Sequence, residues 1–363
     1  MPDVAMPDSA MPYNLVEPVT FVCPPALAPG DRIVLGHGGG GRLSAELLRD
    51  IFLPLFSNPI LDRLDDQAVL EIGGCRLAFT TDSFVVNPLF FPGGDIGSLA
   101  VHGTMNDLAM GGAQPLFLSA AFILEEGFSI ETLRDVTRSM ARAAREAGVS
   151  IVTGDTKVVE KGKGDGLFIN TAGIGIVPQD VRLSANQAQP GDRVLLSGSL
   201  GDHGIAIMAG REGLEFETEI VSDSAPLHDL VQAMLSASTQ IRCLRDPTRG
   251  GLASSLNEIA AQSRVSIRIE ESALVIRDEV KGACELLGLD PLYVANEGKL
   301  VAIVAPEAAD QVLRAMRLHP RGVDASIIGT IHEGRAGLVS MKTVFGSTRI
   351  VDLLAGDQLP RIC

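Results

Sequence analysis

The sequence predicts an α+β protein of two domains. Its 363 residues exceed the size at which one hydrophobic core usually keeps growing, so two cores are expected. Stretches typical of strands and of helices occur in both halves, and turn residues from Pro178 to Gly191 separate the halves. The expected parts are an N-terminal extension at 1–30, domains at 31–180 and 190–345, and a flexible tail at 346–363.

The first half begins with a glycine loop at 36–41, between a predicted strand at 32–35 and a predicted helix. Apolar residues from Leu43 to Ile51 recur at helical spacing, which predicts that helix. The other expected elements are a β segment at 75–81, a helix at 95–110, a strand at 115–123, a helix at 129–147 ended by Gly148, and strands at 150–153 and 167–177.

The second half repeats the mixture of strands and helices. The expected strands lie at 193–196, 265–269, 300–304 and 327–331, and the expected helices at 204–210 and 250–261. After residues 349–351, Gly356 and Pro360 prevent a continuing helix. The chain should therefore end in an extended, mobile tail.

The net charge excludes some classes of partner. Thirty Lys and Arg residues against 45 Asp and Glu give a formal charge of -15, which repels nucleic acids and anionic membranes. An acidic protein that handles phosphates must neutralise them with metal ions held by carboxylates, or with backbone N–H groups. The composition favours the metal route.

The apolar stretches, the N-terminus and the cysteines indicate a soluble cytoplasmic protein. The apolar stretches are too short to span a bilayer, and the N-terminus lacks a basic region followed by an apolar one. The five cysteines are scattered without CxxC spacing. Neither a disulfide framework nor a zinc site is therefore encoded.

Aspartates recur where predicted strands or helices end. They are Asp65, Asp66, Asp82, Asp107, Asp155 and Asp246. Magnesium prefers oxygen ligands and bridges carboxylates to nucleotide phosphates, so a convergent set would suit ATP. The alternative is that each aspartate is an ordinary cap or turn residue.

Three further segments offer groups for phosphate chemistry. The loop at 36–41 is not a Walker A sequence; Gly38 and Gly39 either cover phosphates or belong to a plain strand-to-helix loop. Thr156 and Lys157 can stabilise phosphoryl oxygens or lie in a surface turn. Glu297 is either a general base or a solvated loop acid.

Cys363 is the last residue, which makes its thiol a candidate swinging arm. A thiol on a mobile end can be modified at one active site and delivered to another. A prenylation box is excluded, because it requires cysteine four places from the end. The alternative is an unremarkable terminal residue.

Six short motifs occur along the chain. They are Pro360-Arg361-Ile362-Cys363, Gly36-His37-Gly38, Thr80-Thr81-Asp82-Ser83, Asn106-Asp107-Leu108-Ala109-Met110-Gly111, Gly154-Asp155-Thr156-Lys157-Val158 and Asp246-Pro247-Thr248-Arg249-Gly250-Gly251. Together they resemble the HypE family of hydrogenase-maturation carbamoyl dehydratases, in the aminoimidazole ribonucleotide synthetase superfamily. The resemblance covers nearly everything after Pro29, and the tail is its most specific mark. The extension at 1–30 and the four consecutive glycines depart from the family pattern.

The resemblance implies a fold, a reaction and partners. The fold is the two-domain PurM-like α+β fold, in a homodimer whose first domains share a β-barrel. ATP and Mg²⁺ serve to dehydrate an S-carbamoyl group on Cys363 to a thiocyanate, which supplies cyanide for the iron of NiFe-hydrogenase. The implied partners are the carbamoyltransferase HypF and the HypC–HypD complex. The implied magnesium and phosphate ligands are Asp66, Asp82, Asp107, Asp155 and Asp246, with Lys157 and Glu297 serving the dehydration.

Two other functions stay open at this point. Another ATP-dependent enzyme of the superfamily, such as selenophosphate synthetase or thiamine-phosphate kinase, would not need the terminal cysteine. Selenophosphate synthetases carry a reactive Cys or selenocysteine in the glycine loop, and 36–41 contains none. A non-enzymatic metallochaperone would bind nickel or iron through Cys363 without ATP turnover.

Overall fold

The computed structural model describes residues 32–212, 220–354, 356 and 361–363. The expected extension at 1–30 and residues 355 and 357–360 of the expected tail lie outside these ranges. In the described residues, no helix has both the length and the apolar character needed to cross a membrane.

The helices are interspersed with strands along the chain, as the sequence predicts. They are α1 (Arg42–Leu47), α2 (Leu53–Phe56), α3 (Ile96–Met110), α4 (Ile130–Glu146), α5 (Asp202–Glu212), α6 (His228–Ala237), α7 (Gly251–Gln262), α8 (Asp278–Leu287) and α9 (Ala309–Leu318), with a π-helical turn at Leu48–Phe52 between α1 and α2.

Within the described ranges, the strands form two sheets and a short ribbon. They are β1 (Ala68–Ile72), β2 (Cys75–Phe84), β3 (Phe90–Phe91), β4 (Gly94–Asp95), β5 (Gln114–Glu125), β6 (Ser150–Val159), β7 (Leu167–Ile176), β8 (Arg193–Leu196), β9 (Ile241–Arg245), β10 (Ser266–Glu270), β11 (Val301–Val304), β12 (Ser326–His332), β13 (Leu338–Lys342) and β14 (Thr348–Ile350). The first sheet has the order β1-β2-β7-β5-β6 and the second β14-β13-β10-β12-β8-β11-β9, while β3 and β4 form the ribbon.

The first sheet is mixed and is buried on one face. Its pairs are antiparallel except β5 with β6. Burial alternates along β7, as expected when helices cover one side of a sheet. Helices α3 and α4 provide that cover. Almost every residue of α3 is buried, so its polar groups face protein or the site described below.

The second sheet is buried on both faces around strand β11. All four residues of β11 are buried, which explains why its sequence is an unbroken apolar run. Val301 and Ile303 face the core that contains α7, whereas Ala302 and Val304 face the core with α6 and α9. The two-domain α+β prediction is confirmed by these two sheets and their helices.

The ends of α3 and α4 follow the expected helix signals. The Asp95 carboxylate accepts hydrogen bonds from the N–H groups of Gly97 and Ser98, at 2.7 and 3.1 Å. Ser129 caps α4, and Gly148 follows it at φ +69°, the left-handed conformation that glycine adopts most easily. The predictions of these two helices are confirmed within one residue at each end.

The predicted strand at 32–35 is wrong. Residues Leu35–Gly38 form a 3₁₀ turn instead. The N–H of His37 donates to the Val34 carbonyl at 3.0 Å, and the Val34 N–H donates to His37 Nδ1 at 3.1 Å. These local bonds use the backbone groups of Val34 that a strand would need for pairing.

Candidate active site

A cavity of about 220 Å³ between the two sheets collects most of the predicted site residues. Five acids and the terminal cysteine line it. They are Asp66, Asp82, Asp107, Asp246, Glu297 and Cys363. The structure brings four of the six aspartates together here, and Glu297 joins them.

Each acid comes from a different element. Asp66 precedes β1, Asp82 lies in β2, Asp107 lies on α3, Asp246 follows β9, and Glu297 precedes β11. The Thr80 hydroxyl donates at 2.9 Å either to Asp107 Oδ2 or to the Asp66 carbonyl, both of which lie within reach. This hydroxyl therefore ties the ends of β1 and β2 to α3.

Burial and crowding make these acids difficult to ionise together. The pKa of Asp107 lies well above its usual range because the carboxyl is buried and faces Asp246, Asp82 and Asp66. Burial, followed by the charge of Asp66, raises the pKa of Asp246 to about 8. These acids can all be ionised at the same time only if additional positive charge lies beside them.

Arg245 only partly supplies that charge. Its guanidinium forms an ion pair with Asp66, yet burial still raises the pKa of Asp66 to about 6. In the described residues, no three acids, histidines or cysteines are arranged to hold a metal ion alone. Magnesium keeps several waters and binds through one or two carboxylates plus substrate phosphates, so this donor set fits Mg²⁺ bound together with a nucleotide.

Glu297 has a fixed backbone and an unsatisfied side chain. Its N–H donates to Asp223 Oδ1 at 3.0 Å, and its carbonyl accepts from Asn106 Nδ2 at 3.2 Å. Gly298 permits this contact, because a Cβ there would lie 1.8 Å from the Asp223 carbonyl oxygen. Glu297 Oε1 is buried without a hydrogen-bond partner among the described residues. Burial raises the pKa of Glu297 well above its usual range, which suits a group that takes up a proton.

The end of the chain is docked at this cavity. Cys363 lines both the acidic cavity and a second cavity of about 160 Å³, which also contains Gly38 and Gly39. Its carbonyl accepts from the Val85 N–H at 2.9 Å, and burial raises the pKa of the Cys363 thiol. The sequence predicts a mobile tail; the described end of that tail lies inward, with its thiol at the predicted site.

Arg249 is a cavity residue that the sequence interpretation did not select. It lines both cavities, and its Nη1 donates to the Gly38 carbonyl at 3.0 Å. Coulombic interaction with Cys363, and then with Asp82, raises the pKa of Arg249. A Cβ on Gly40 (φ +71°) would lie 2.7 Å from the Arg249 carbonyl oxygen, so the glycine loop packs closely on this segment. The sequence signal was its place in the motif from Asp246 to Gly251, three residues after Asp246.

Asp65 lies outside the acidic cavity. Its carboxylate accepts from the Ser184 hydroxyl at 2.9 Å and from the Ala185 N–H at 3.0 Å. These bonds join the segment before β1 to the segment before β8. Asp65 therefore has a structural role, and its neighbour Asp66 faces the cavity.

Asp155, Thr156 and Lys157 are not brought to the cavity of their own chain. All three are exposed on β6, and Lys157 Nζ lies 2.6 Å from Asp155 Oδ2. Across the first sheet, Asp82 pairs with Thr171, Thr171 with Ala120, and Ala120 with Gly154, so these four residues lie on one face. Successive residues of a strand face opposite sides, so Asp155 lies on the sheet face opposite Asp82. Their predicted roles remain predictions.

The raised pKa values of the acids predict a stability that depends on pH. A carboxyl whose pKa is higher in the folded than in the unfolded chain stabilises the fold at low pH, and this contribution is lost as the pH rises through the folded value. For Asp246 that window runs from about 4 to about 8.

We expect the metal-free chain to melt at a lower temperature at pH 8 than at pH 5.5. Asp246→Asn should raise the melting temperature at pH 8 and reduce this difference, as measured by calorimetry. An equal shift at both pH values would contradict the prediction.

Two family models and several known proteins match this chain over most of its length. Residues 64–177 match the family described as AIR synthase related protein, N-terminal domain, and residues 189–342 match its C-terminal domain. The chain is 59% identical over 327 residues to carbamoyl dehydratase HypE of Azotobacter vinelandii, covering 90% of this chain and 96% of that protein.

Two solved structures are similar along almost their whole length. A HypE solved in a HypE–HypF complex is 50% identical, with a TM-score of 0.81, and the match covers 85% of this chain and 99% of that one. A HypE solved with ATP is also 50% identical, with a TM-score of 0.77, covering 92% of this chain and 100% of that one.

Proposed function

The chain belongs to the HypE family of carbamoyl dehydratases, which act in hydrogenase maturation, and from this we propose how its residues carry out the reaction. Cys363 bears an S-carbamoyl group. ATP activates that group in the acidic cavity, and the product is a thiocyanate on the same sulfur. The observation that carries the proposal is the junction of Cys363, Arg249 and five acids in one cavity.

The carbonyl oxygen is the atom that must be activated, because an amide-type oxygen is a poor leaving group. We propose that this oxygen attacks the γ-phosphorus of ATP and releases ADP. An O-phosphorylated intermediate is thereby formed on Cys363. Arg249 lines the same two cavities as Cys363 and would support the negative charge that develops on the transferred phosphoryl group.

Removal of both nitrogen protons completes the reaction. The first leaves to solvent as the O-phosphorylated intermediate forms; the second passes to Glu297 as the C–O bond to phosphate breaks and the carbon–nitrogen bond becomes a triple bond. Glu297 suits this step because Oε1 is buried without a protein partner in the described ranges. Proton transfer is efficient when a base is positioned and has a raised pKa.

ATP and magnesium would share the acidic cavity. The relative solved with ATP supports nucleotide binding here, with Gly38 and Gly39 near the phosphates. Asp66, Asp82, Asp107 and Asp246 would hold Mg²⁺, which neutralises phosphate charge when bound. The crowding that raises their pKa values would thereby be relieved.

A homodimer would complete the site with residues of β6. The face of the first sheet opposite α3 carries Phe79, Phe117 and Ile174, which are 42, 46 and 41% exposed and are paired across three strands. A second copy is the occupant that such an apolar, self-complementary face fits. The β6 edge adds exposed Ile151, Val152 and Val158. In the dimer, Asp155, Thr156 and Lys157 of one subunit would act at the cavity of the other, across a shared barrel.

Charge placed on that face should prevent dimerisation. Ile174→Glu is expected to give a monomer in analytical ultracentrifugation where the wild type gives a dimer, because a carboxylate would be buried opposite Phe79 and Phe117. The matched control is Ile350→Glu, an exposed position on β14 of the second sheet. A dimer that survives Ile174→Glu would exclude this face.

Two partners follow from the chemistry. A carbamoyltransferase must load Cys363, and the HypE–HypF complex of a relative supports HypF in that role. A HypC–HypD complex would receive the nitrile carbon as a cyanide ligand for hydrogenase iron. Consumption of ATP is consistent with a cytoplasmic location.

Mass spectrometry of the carbamoylated chain tests the proposed function. When ATP and Mg²⁺ are added, the tail peptide should lose the mass of one water while ADP and phosphate appear in equal amounts. ATP hydrolysis with an unchanged tail would overturn the proposal. Phosphorylation of a small molecule would favour a kinase of the superfamily, and metal binding without ATP turnover would favour a metallochaperone.

A further inference from the structure

The docked tail is held through its backbone. The carbonyls of Arg361 and Cys363 accept from the N–H groups of Asn87 and Val85, at 3.2 and 2.9 Å. These contacts are two residues apart, as in a strand pair, so the carbonyl between them points to the opposite side of the tail. That carbonyl belongs to Ile362 and lies 3.0 Å from His203 Nε2.

His203 is fixed in both orientation and tautomer. The side chain is completely buried on α5, and Nδ1 lies 2.8 Å from the Ser222 hydroxyl. A carbonyl only accepts hydrogen bonds, so Nε2 carries the proton and Nδ1 accepts from Ser222. The ring also packs edge-on against Phe91, with centroids 5.6 Å apart. Burial lowers the pKa of His203, which favours the neutral ring.

We propose that His203 is a positioning residue that holds the tail in the register at which the Cys363 thiol enters the acidic cavity. The proposal rests on the proposed function, in which the tail leaves to be carbamoylated and returns. A slip of one residue would exchange the sides on which Ile362 and Cys363 lie. It would move Ile362 out of the first-domain core, turn the Cys363 side chain away from the acidic cavity and break the bond between His203 and the Ile362 carbonyl.

Other contacts of the tail lie nearer to solvent. Arg361 pairs with the half-exposed Asp165, and its Nε donates to the Val85 carbonyl at 3.2 Å. Exposed ion pairs contribute little because solvent screens them. The buried His203 contact is therefore expected to contribute most to register.

Two substitutions of His203 separate its two hydrogen bonds. The amide of Gln places a donor where Nε2 lies, so His203→Gln can still reach the Ile362 carbonyl. The shorter His203→Asn can meet Ser222 but not Ile362. His102→Asn is the matched control, because His102 is also buried and bonded to a serine, Ser224 at 3.1 Å, away from the tail.

The first readout is the alkylation rate of Cys363 in the full-length chain, followed in the Asp357–Cys363 peptide released by a protease that cleaves before Asp. We expect His203→Asn to raise this rate about tenfold, the order expected for one lost buried hydrogen bond. His203→Gln and His102→Asn should stay within about twofold of wild type. The second readout is single-turnover dehydration of the carbamoylated chain, which His203→Asn should slow by a similar factor while ATP binding is unchanged.

The outcomes distinguish this proposal from the proposed function. Wild-type alkylation in His203→Asn, or equal effects of Asn and Gln, would overturn the positioning role. If His203→Asn raises the alkylation rate but the wild-type protein shows no dehydration, tail positioning would be supported and only the proposed function would be overturned. Should His203→Asn fail to fold, Ser222→Ala provides the second test, because it removes the group that orients the ring. It should raise the alkylation rate, and no increase would overturn the proposal.

Discussion

Cys363→Ser is expected to abolish formation of the nitrile while ATP binding is retained. The hydroxyl of serine is a far weaker nucleophile than a thiolate, so the tail would not be loaded with the carbamoyl group. Cys363 is only partly buried at the edge of the first-domain core and serine has nearly the same shape, so the melting temperature should change little. The tail peptide should show neither a carbamoyl nor a nitrile adduct by mass spectrometry.

Cys75→Ser is the control for this substitution. Cys75 is an exposed cysteine on β2, outside both cavities, and its loss should leave the yield of nitrile unchanged. Product formed by the Cys363→Ser chain, or an adduct found on Cys75, would show that the carrier is a different residue.

Glu297→Gln should slow dehydration by about 10² to 10⁴-fold, the usual contribution of a positioned general base. Because proton removal follows phosphoryl transfer in the proposed order, ADP should form in a burst of one equivalent before the nitrile appears. Rapid-quench measurement of ADP and of the tail mass would record both events. Glutamine keeps the shape of glutamate, so ATP binding should persist.

The pH profile adds a second signature. The rate of the wild type should rise with pH as Glu297 becomes ionised, since burial raises its pKa. This rise of the rate with pH should be absent in Glu297→Gln. Glu270→Gln serves as the control, because Glu270 pairs with Lys342 on the second sheet, at 3.5 Å. A Glu297→Gln enzyme with wild-type rate would remove Glu297 from the mechanism.

Local patterns in the sequence were sufficient to predict several elements of the fold. The cap at Asp95 and the glycine after α4 mark helix ends through contacts a few residues apart. The apolar run of β11 follows from burial on both faces. These features depend on short-range chemistry, and they can be predicted without knowing the pairing of strands.

The sides on which Asp155 and Lys157 lie could not be predicted in this way. The ladder between β5 and β6 shifts by one residue between Leu118 and Ser119. A bulge of this kind reverses which face each later residue occupies. Nothing in the local sequence fixes that shift, since it arises from pairing between strands that lie far apart in the chain.

The docked tail and Arg249 depend on the same long-range arrangement. Gly356 predicts only that no helix continues. The tail is held by Val85 of the first domain, which bonds to Cys363, and by His203 of the second, which bonds to Ile362. Arg249 gains its role because the glycine loop and Cys363 meet there.

The fate of the carbamoyl oxygen tests the central claim most directly. Cys363 is loaded with a carbamoyl group that carries a heavy oxygen isotope, and ATP with Mg²⁺ is added in ordinary water. We expect the label in the inorganic phosphate that is released, because the carbonyl oxygen bonds to the γ-phosphorus before the carbon–oxygen bond breaks. Label recovered in water, with unlabelled phosphate, would contradict O-phosphorylation in the acidic cavity.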